Sequence, residues 1–184
     1  NLNFLFPSSK ALNLTNQASI KNFLNNDNFD YIINLGAFTD VNGAEKKKDI
    51  TKRVNHTGVD ILSKEADTKN IKLIHISTDY VFGKTLNAPF YPGDKKAPIN
   101  FYGLTKSDGE DAVLTNHNSG IIIRFSSVFS QYGTNFVKSM IKLLLTNRRV
   151  RVVSDQKISL TFAQDFSRNI VQIIDLYKKN INTN

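Results

Sequence analysis

Short, uninterrupted apolar runs alternate along this chain with segments whose apolar residues recur at helical spacing. Residues 31–35 (Tyr31-Ile32-Ile33-Asn34-Leu35) end at Gly36, residues 71–76 end at Ser77, and residues 121–125 begin Ile121-Ile122-Ile123. Runs of that length without polar alternation fit strands buried in a parallel sheet. Between them, residues 16–25 carry Ala18, Ile20, Phe23 and Leu24 at helical spacing, with Thr15 or Asn16 as N-cap. Residues 47–68 repeat apolar positions at Ile50, Val54, Val59, Ile61 and Leu62 and predict one helix. Further helices are expected over about 101–116, 135–146 and 165–179, and strands over 2–6 and near 150–153. The alternation predicts βαβ units, hence an α/β fold: a Rossmann-like, doubly wound parallel sheet with helices on both faces.

At 184 residues the chain is expected to form a single domain spanning 1–184, and 40% hydrophobic residues suffice for a core. That composition excludes a disordered or collagen-like chain. The apolar runs are far too short for a membrane span, and the first residues lack the basic n-region of a signal peptide. Cysteine is absent, which excludes disulfides, thiolate catalysis and cysteine zinc sites and fits a cytoplasmic protein. His56, His75 and His117 have no metal-ligand spacing and are taken as core or surface residues, so no metal site is expected. The net charge of +8 invites a nucleic-acid partner. Against that, lysines outnumber arginines three to one and asparagine abounds, the signature of codon bias. The dense basic spots Lys46-Lys47-Lys48 and Arg148-Arg149-Arg151 have no interleaved aromatic residues for base stacking. The expectation is therefore no nucleic acid and no membrane, with a basic surface that suits an anionic small molecule.

Ligands of such sheets bind off the carboxyl ends of the strands, so the residues after each run come first. The 71–76 run leads into Ser77-Thr78-Asp79-Tyr80 and then a long non-periodic stretch to residue 100, and long loops in compact domains are usually functional. Tyr102 and Lys106 follow, four residues apart and on one face of the expected helix. A free tyrosine titrates near pH 10, and a nearby ammonium favours the phenolate. With the Thr78 hydroxyl beside it, the set can shuttle a proton for a carbonyl/alcohol pair. A Tyr-x-x-x-Lys spacing alone is common on exposed helices; the Pro-containing loop before it and the hydroxyl-bearing strand end give it weight.

The ordered motifs resemble the extended short-chain dehydrogenase/reductase family, most closely its dTDP-4-dehydrorhamnose reductase branch. They are Asn34-Leu35-Gly36-Ala37-Phe38-Thr39-Asp40-Val41, Val54-Asn55, Ser77-Thr78-Asp79-Tyr80-Val81-Phe82-Gly83, Pro98 to Lys106 with Gly109-Glu110, Arg124-Phe125-Ser126-Ser127-Val128-Phe129, and Asp155-Gln156 with Thr161. The resemblance covers about 13–175. It implies reduction of a nucleotide-activated 4-keto-6-deoxy sugar, within dTDP-rhamnose and cell-surface polysaccharide synthesis. By position, Tyr102 would be the proton donor, Lys106 would hold the nicotinamide ribose and lower the Tyr102 pKa, and Thr78 would bind the substrate oxygen. Asn13, Leu14, Gly36, Ala37, Phe38 and Thr39 would line the cofactor, and Asp79 and Ser127 would meet the sugar. Asn55 would fix helix-to-strand geometry. Sugar-nucleotide dehydratases carry Thr-Asp-Glu where this chain has Thr78-Asp79-Tyr80, which favours simple reduction.

Three departures accompany the resemblance. The family's first strand and G-x-x-G-x-x-G phosphate loop have no counterpart, and position 1 is not Met. Those facts suggest a piece of a longer protein, or a degenerate relative, with little turnover of its own. Ser127 stands where the family has a sugar-contacting aromatic, and Asp155 to Thr161 lacks the family's Gly and Pro. NADPH is the expected cofactor because Pro7-Ser8-Ser9-Lys10 offers two hydroxyls and a cation to a 2′-phosphate; read as a plain solvated turn, the same residues leave NADH open. A homodimer and a divalent metal are left open by the resemblance. The competing function is a non-catalytic regulatory or binding relative of the same fold.

Overall fold

The computed structural model describes residues 2–83, 89–146, 149–152, 154 and 158–181, with side chains described through residue 176. The chain forms two compact units, Asn1–Arg124 and Phe125–Asn184.

In the first unit, β1 (Tyr31–Asn34) and β2 (Lys72–Thr78) pair in parallel, with Tyr31 opposite Lys72 and Asn34 opposite His75. A third strand, β3 (Ile121–Phe125), lies on the other side of β2, so the order is β1-β2-β3. Being central, β2 buries Leu73, Ile74 and His75 completely. Helix α1 (Gln17–Asn25) starts where the Asn16 side chain accepts the Ser19 N–H at 3.1 Å. Its Ile20 and Leu24 join Val59, Leu62 and Ala66 of α4 (Gly58–Thr68), then Ile71, Leu73 and Val113, in one core. Each buried Val, Leu or Ile of this core contributes roughly 1.5–3 kcal/mol by leaving water. Just past the end of α4, Asn70 with a φ of 56° turns the chain so that the Ile71 N–H reaches the Ala66 carbonyl at 2.9 Å.

The α/β alternation is as the sequence predicts, with three corrections. Residues 2–6 form no strand, and Phe4, Leu5 and Phe6 stand exposed. A strand needs a ladder partner for its backbone, and among the described residues β1 pairs only with β2. The single helix expected over 47–68 is three pieces: α3 (Lys48–Lys52), a π turn at Arg53–Thr57, and α4. Ahead of them lies an unforeseen short helix, α2 (Val41–Lys46), capped by the Asp40 carboxylate on the Gly43 N–H at 2.9 Å. Residues 149–152 are not a strand, and residue 153 lies outside the described residues.

The long helix α5 (Phe101–Asn116) closes the first unit against α4 and the sheet. In the second unit, β4 (Val128–Phe129) pairs in parallel with β5 (Thr161–Phe162), and the Phe129 and Phe162 rings meet at 5.2 Å. Helices α6 (Phe136–Thr146) and α7 (Ala163–Ile181) complete it; Ile170 and Ile174 of α7 are buried. Asp155, Gln156 and Arg148 lie outside the described residues.

Candidate functional site

Two element ends meet at the site: the carboxyl end of β2 and the first turns of α5. Thr78 is the last residue of β2 and caps the 3-10 turn Asp79–Val81, its hydroxyl accepting the Tyr80 N–H at 3.2 Å. The same hydroxyl donates to Asp79 Oδ1 at 3.2 Å and is near enough to the Tyr102 phenol to pull its pKa down. Tyr102 sits in the first turn of α5, which is capped twice. Asn100 Oδ1 accepts the Gly103 N–H at 2.7 Å, and Glu45 of α2 accepts the Phe101 N–H at 2.7 Å. Gly103 lets the turn after β2 lie on the helix, because a Cβ there would strike the Tyr80 carbonyl. That close approach stacks the Tyr80 ring edge-on against Tyr102, at 5.6 Å and 76°.

One turn along α5, Lys106 is 2% exposed, a rare position for a lysine. Its Nζ donates to the Ile76 carbonyl at 2.6 Å and lies 3.3 Å from His75 Nε2. Burial pulls its pKa down to about 8, against a partial upward pull from Glu110. His75 is buried harder still; burial first, and then the Lys106 charge, push its pKa down to about 3, so the imidazole is neutral. Tyr102 moves the other way. Burial raises its pKa, Asp79 and Tyr80 add to the rise, and the Thr78 hydroxyl offsets only part of it. The expectation that Lys106 lowers the Tyr102 pKa is not met in this state, because the amine is directed to Ile76 and His75. The phenol is thereby kept protonated at neutral pH.

A further turn along α5, Glu110 is fully buried and takes both prongs of the Arg124 guanidinium at 2.8 Å. Burial alone would raise the Glu110 pKa; the hydrogen bonds of Arg124, the nearby Ser77 hydroxyl and the charges of Arg124 and Lys96 outweigh it and hold it below the usual carboxylate range. Arg124 also donates to the Pro92 carbonyl at 2.9 Å, and Lys96 to the Ser107 carbonyl at 3.0 Å. The loop after β2 is thus tied to β3 and α5 through polar contacts.

The cofactor-lining candidates cluster at the end of β1. Leu14 packs against Gly36, whose N–H donates to Asn34 Oδ1 at 3.1 Å. Asn13 is exposed and folds onto its own turn, accepting the Thr15 N–H at 2.9 Å. Ala37 and Phe38 are half-buried and Thr39 is exposed. Asn55, presented inward by the π turn, grips Phe38 from both sides: its Oδ1 accepts the Phe38 N–H at 2.8 Å and its Nδ2 donates to the Phe38 carbonyl at 3.1 Å. Nδ2 also reaches Thr105 of α5 at 3.2 Å, which ties the β1 end to the helix of Tyr102 and Lys106. Thr78, Asp79, Tyr102 and Lys106, with the segment from Gly36 to Phe38, therefore belong to one connected set in the first unit. Ser127 lies in the second unit, half-buried, with a left-handed φ of 30°.

Sequence reasoning passed over Asn34 and His75 as site residues. Their signal was two polar side chains placed inside apolar strand runs. Among the described residues no cluster of His, Cys, Asp or Glu could hold a metal ion, and no helix is long and apolar enough to cross a membrane.

Residues 1–183 match a family model described as RmlD substrate binding domain. A dTDP-4-dehydrorhamnose reductase of Sinorhizobium fredii is 40% identical over 144 residues, covering 78% of this chain and 49% of that protein. The crystal structure of a dTDP-4-dehydrorhamnose reductase from Clostridium acetobutylicum superposes with a TM-score of 0.85 at 32% identity, over 91% of this chain and 59% of that one. The enzyme of the same name from Bacillus anthracis, solved in complex with NADP, gives a TM-score of 0.82 at 33% identity, over 92% of this chain and 60% of that one. The chain thus spans about half the length of the curated relatives it matches.

Proposed function

The chain belongs to the RmlD substrate binding domain family, and on that premise we propose that it carries the proton-transfer machinery of an NADPH-dependent reductase acting on a nucleotide-activated 4-keto-6-deoxy sugar. The observation that carries the reading is the buried Thr78 hydroxyl acting on the buried Tyr102 phenol at the end of β2, one helical turn from a buried lysine. A purely structural protein has no use for a protonated phenol, a hydroxyl and an amine gathered at one strand end. The names of the relatives support the sugar-nucleotide substrate, and the NADP complex of the Bacillus anthracis enzyme supports the cofactor. The same names support a place in dTDP-rhamnose and polysaccharide synthesis, which agrees with a cytoplasmic setting.

The residues present fit a nicotinamide ribose. Lys106 Nζ has three substituent positions and two described partners, which leaves one for a ribose hydroxyl. Gly36, Ala37, Phe38 and Thr39, held by Asn55, would line the cofactor beside Leu14, with Asn13 next along the chain. When bound, the reduced nicotinamide supplies a hydride to the sugar carbonyl carbon. Thr78 would then hydrogen-bond the carbonyl oxygen, and Tyr102 would give its phenolic proton to that oxygen as negative charge develops on it. The raised Tyr102 pKa keeps that proton in place beforehand. Asp79 and Ser127 remain the proposed sugar contacts.

The test is NADPH oxidation driven by a dTDP-4-keto-6-deoxy sugar, measured on the full-length protein with and without Tyr102→Phe. Loss of the proton donor should lower kcat about 10²- to 10⁴-fold with little change in KM. An unchanged kcat would remove Tyr102 from the reaction.

A further inference from the structure

Hydrogen-bond geometry at the carboxyl ends of β1 and β2 fixes where protons can reside. The Gly36 backbone N–H can only donate, so the atom of Asn34 that faces it at 3.1 Å is the carboxamide oxygen. The amide nitrogen of Asn34 then faces His75 Nδ1 at 3.0 Å and donates to it. Nδ1 is therefore an acceptor, and a neutral imidazole so held carries its proton on Nε2. That Nε2–H points at Lys106 Nζ, 3.3 Å away. An ammonium has no lone pair to receive it, whereas a neutral amine accepts from His75 and still donates to the Ile76 carbonyl. The cross-strand register makes this chain of contacts possible, because Asn34 and His75 are direct partners in the β1–β2 ladder.

We infer that Asn34 and His75 are positioning residues that link the protonation state of Lys106 to the backbone at the end of β1. When Lys106 is a neutral amine, His75 is the Nε2–H tautomer and Asn34 holds the Gly36 N–H. When Lys106 gains a proton, His75 must accept from it through Nε2, and its own proton moves to Nδ1. Asn34 must then turn its oxygen toward that Nδ1–H, and Gly36 N–H loses its partner. Only one proton is added in all, at Nζ; the imidazole stays neutral and changes tautomer.

The surroundings support a lysine that titrates near neutrality. Burial brings its pKa to about 8. On its own helix it is flanked by Tyr102 and by Glu110, whose charge is engaged by Arg124 of β3 and Lys96 of the loop after β2. Asp79, in the turn after β2, acts on Tyr102; β1 presents the uncharged Asn34. The link depends on the reductase reading only for its use in catalysis, where it would make the amine available to a ribose hydroxyl as the β1 end adjusts.

The tautomer of His75 can be observed without cofactor or substrate. Long-range proton–nitrogen NMR correlations of the ¹⁵N-labelled full chain distinguish protonated from bare ring nitrogens. Across about pH 6 to 10, His75 should pass from the Nδ1–H to the Nε2–H form with a midpoint near the Lys106 pKa, and the Gly36 amide should shift in parallel. Lys106→Met should hold His75 as Nε2–H throughout, with no shift at Gly36. A single tautomer across the range in the unsubstituted chain overturns the proposal, as does a Gly36 amide that ignores the transition or a transition that survives Lys106→Met. Should that variant fail to fold, the titration of the unsubstituted chain decides alone. A catalytically dead protein that still shows the linked transition would sink the reductase reading and leave this one standing.

Discussion

Lys106 and His75 face one another in the buried interior, and each is costly to charge. The folded His75 pKa lies near 3, well below its ordinary value of 6.5. Above pH 6.5 both folded and unfolded chains carry it neutral, so its contribution to stability is fully present. Below 6.5 the unfolded chain takes up a proton that the folded chain refuses, and stability is lost as the pH falls toward 3. Equilibrium denaturation should show a slope of up to about 1.4 kcal/mol per pH unit in that window from this residue. His75→Gln should flatten it, leaving the acid loss due to Glu110; an unchanged slope would mean that His75 is not buried as described. At this scale, chemistry-bearing pairs with motif spacing were legible in the sequence: Thr78, Tyr102 and Lys106. Asn34 and His75 were not, because their partnership runs across 41 residues and exists only once two strands are in register.

Helix α5 carries most of the site on a face that hydrophobic periodicity does not mark. Its buried residues include Thr105, Lys106, Ser107, Gly109 and Glu110. What makes this face bury is close approach. A Cβ at Gly109 would strike the Asn55 carbonyl. Gly109→Ala should therefore destabilise by about 1–3 kcal/mol, despite alanine's better helix propensity, and raise the KM for cofactor; urea denaturation and initial rates would check both. A stabilised variant would show that the helix packs more loosely than this. The extent of α5 was legible all the same, as the helix expected over about 101–116 after the Pro-containing loop. So were β1 and β2, within two residues at either end, from their apolar runs. The break at Arg53–Thr57 was hidden, since Val54, Val59 and Leu62 continue an apolar pattern across it. The pairing of Val128–Phe129 with Thr161–Phe162 was hidden too: two residues are too few to show a period.

The molecule as a whole is basic, with a net charge of +8 and two units of different character. Its charge should favour a dinucleotide that carries an extra phosphate. Fluorescence titration of the full chain is expected to give tighter binding for NADPH than for NADH, with affinity falling as salt screens the charge. Equal, salt-insensitive affinities would count against a phosphate-selective site. The second unit leaves Ile141, Leu143, Leu144 and Leu145 of α6 exposed. The π turn at Arg53–Thr57 ties these scales together. It holds one residue more than a regular turn would need, and each helical residue advances the chain by about 100° around the axis. Deleting one residue there would restore an ordinary turn and leave α4 facing nearly the same way, because about four residues at 100° each span what the bulge spans with five. Val59, Leu62 and Ala66 would then stay in the core, while Asn55 would lose the inward placement from which it holds Phe38. The bulge is thus a local insertion that serves the site more than the core, and shortening this segment by a residue is a change the fold should absorb at the cost of the Asn55 grip on Phe38.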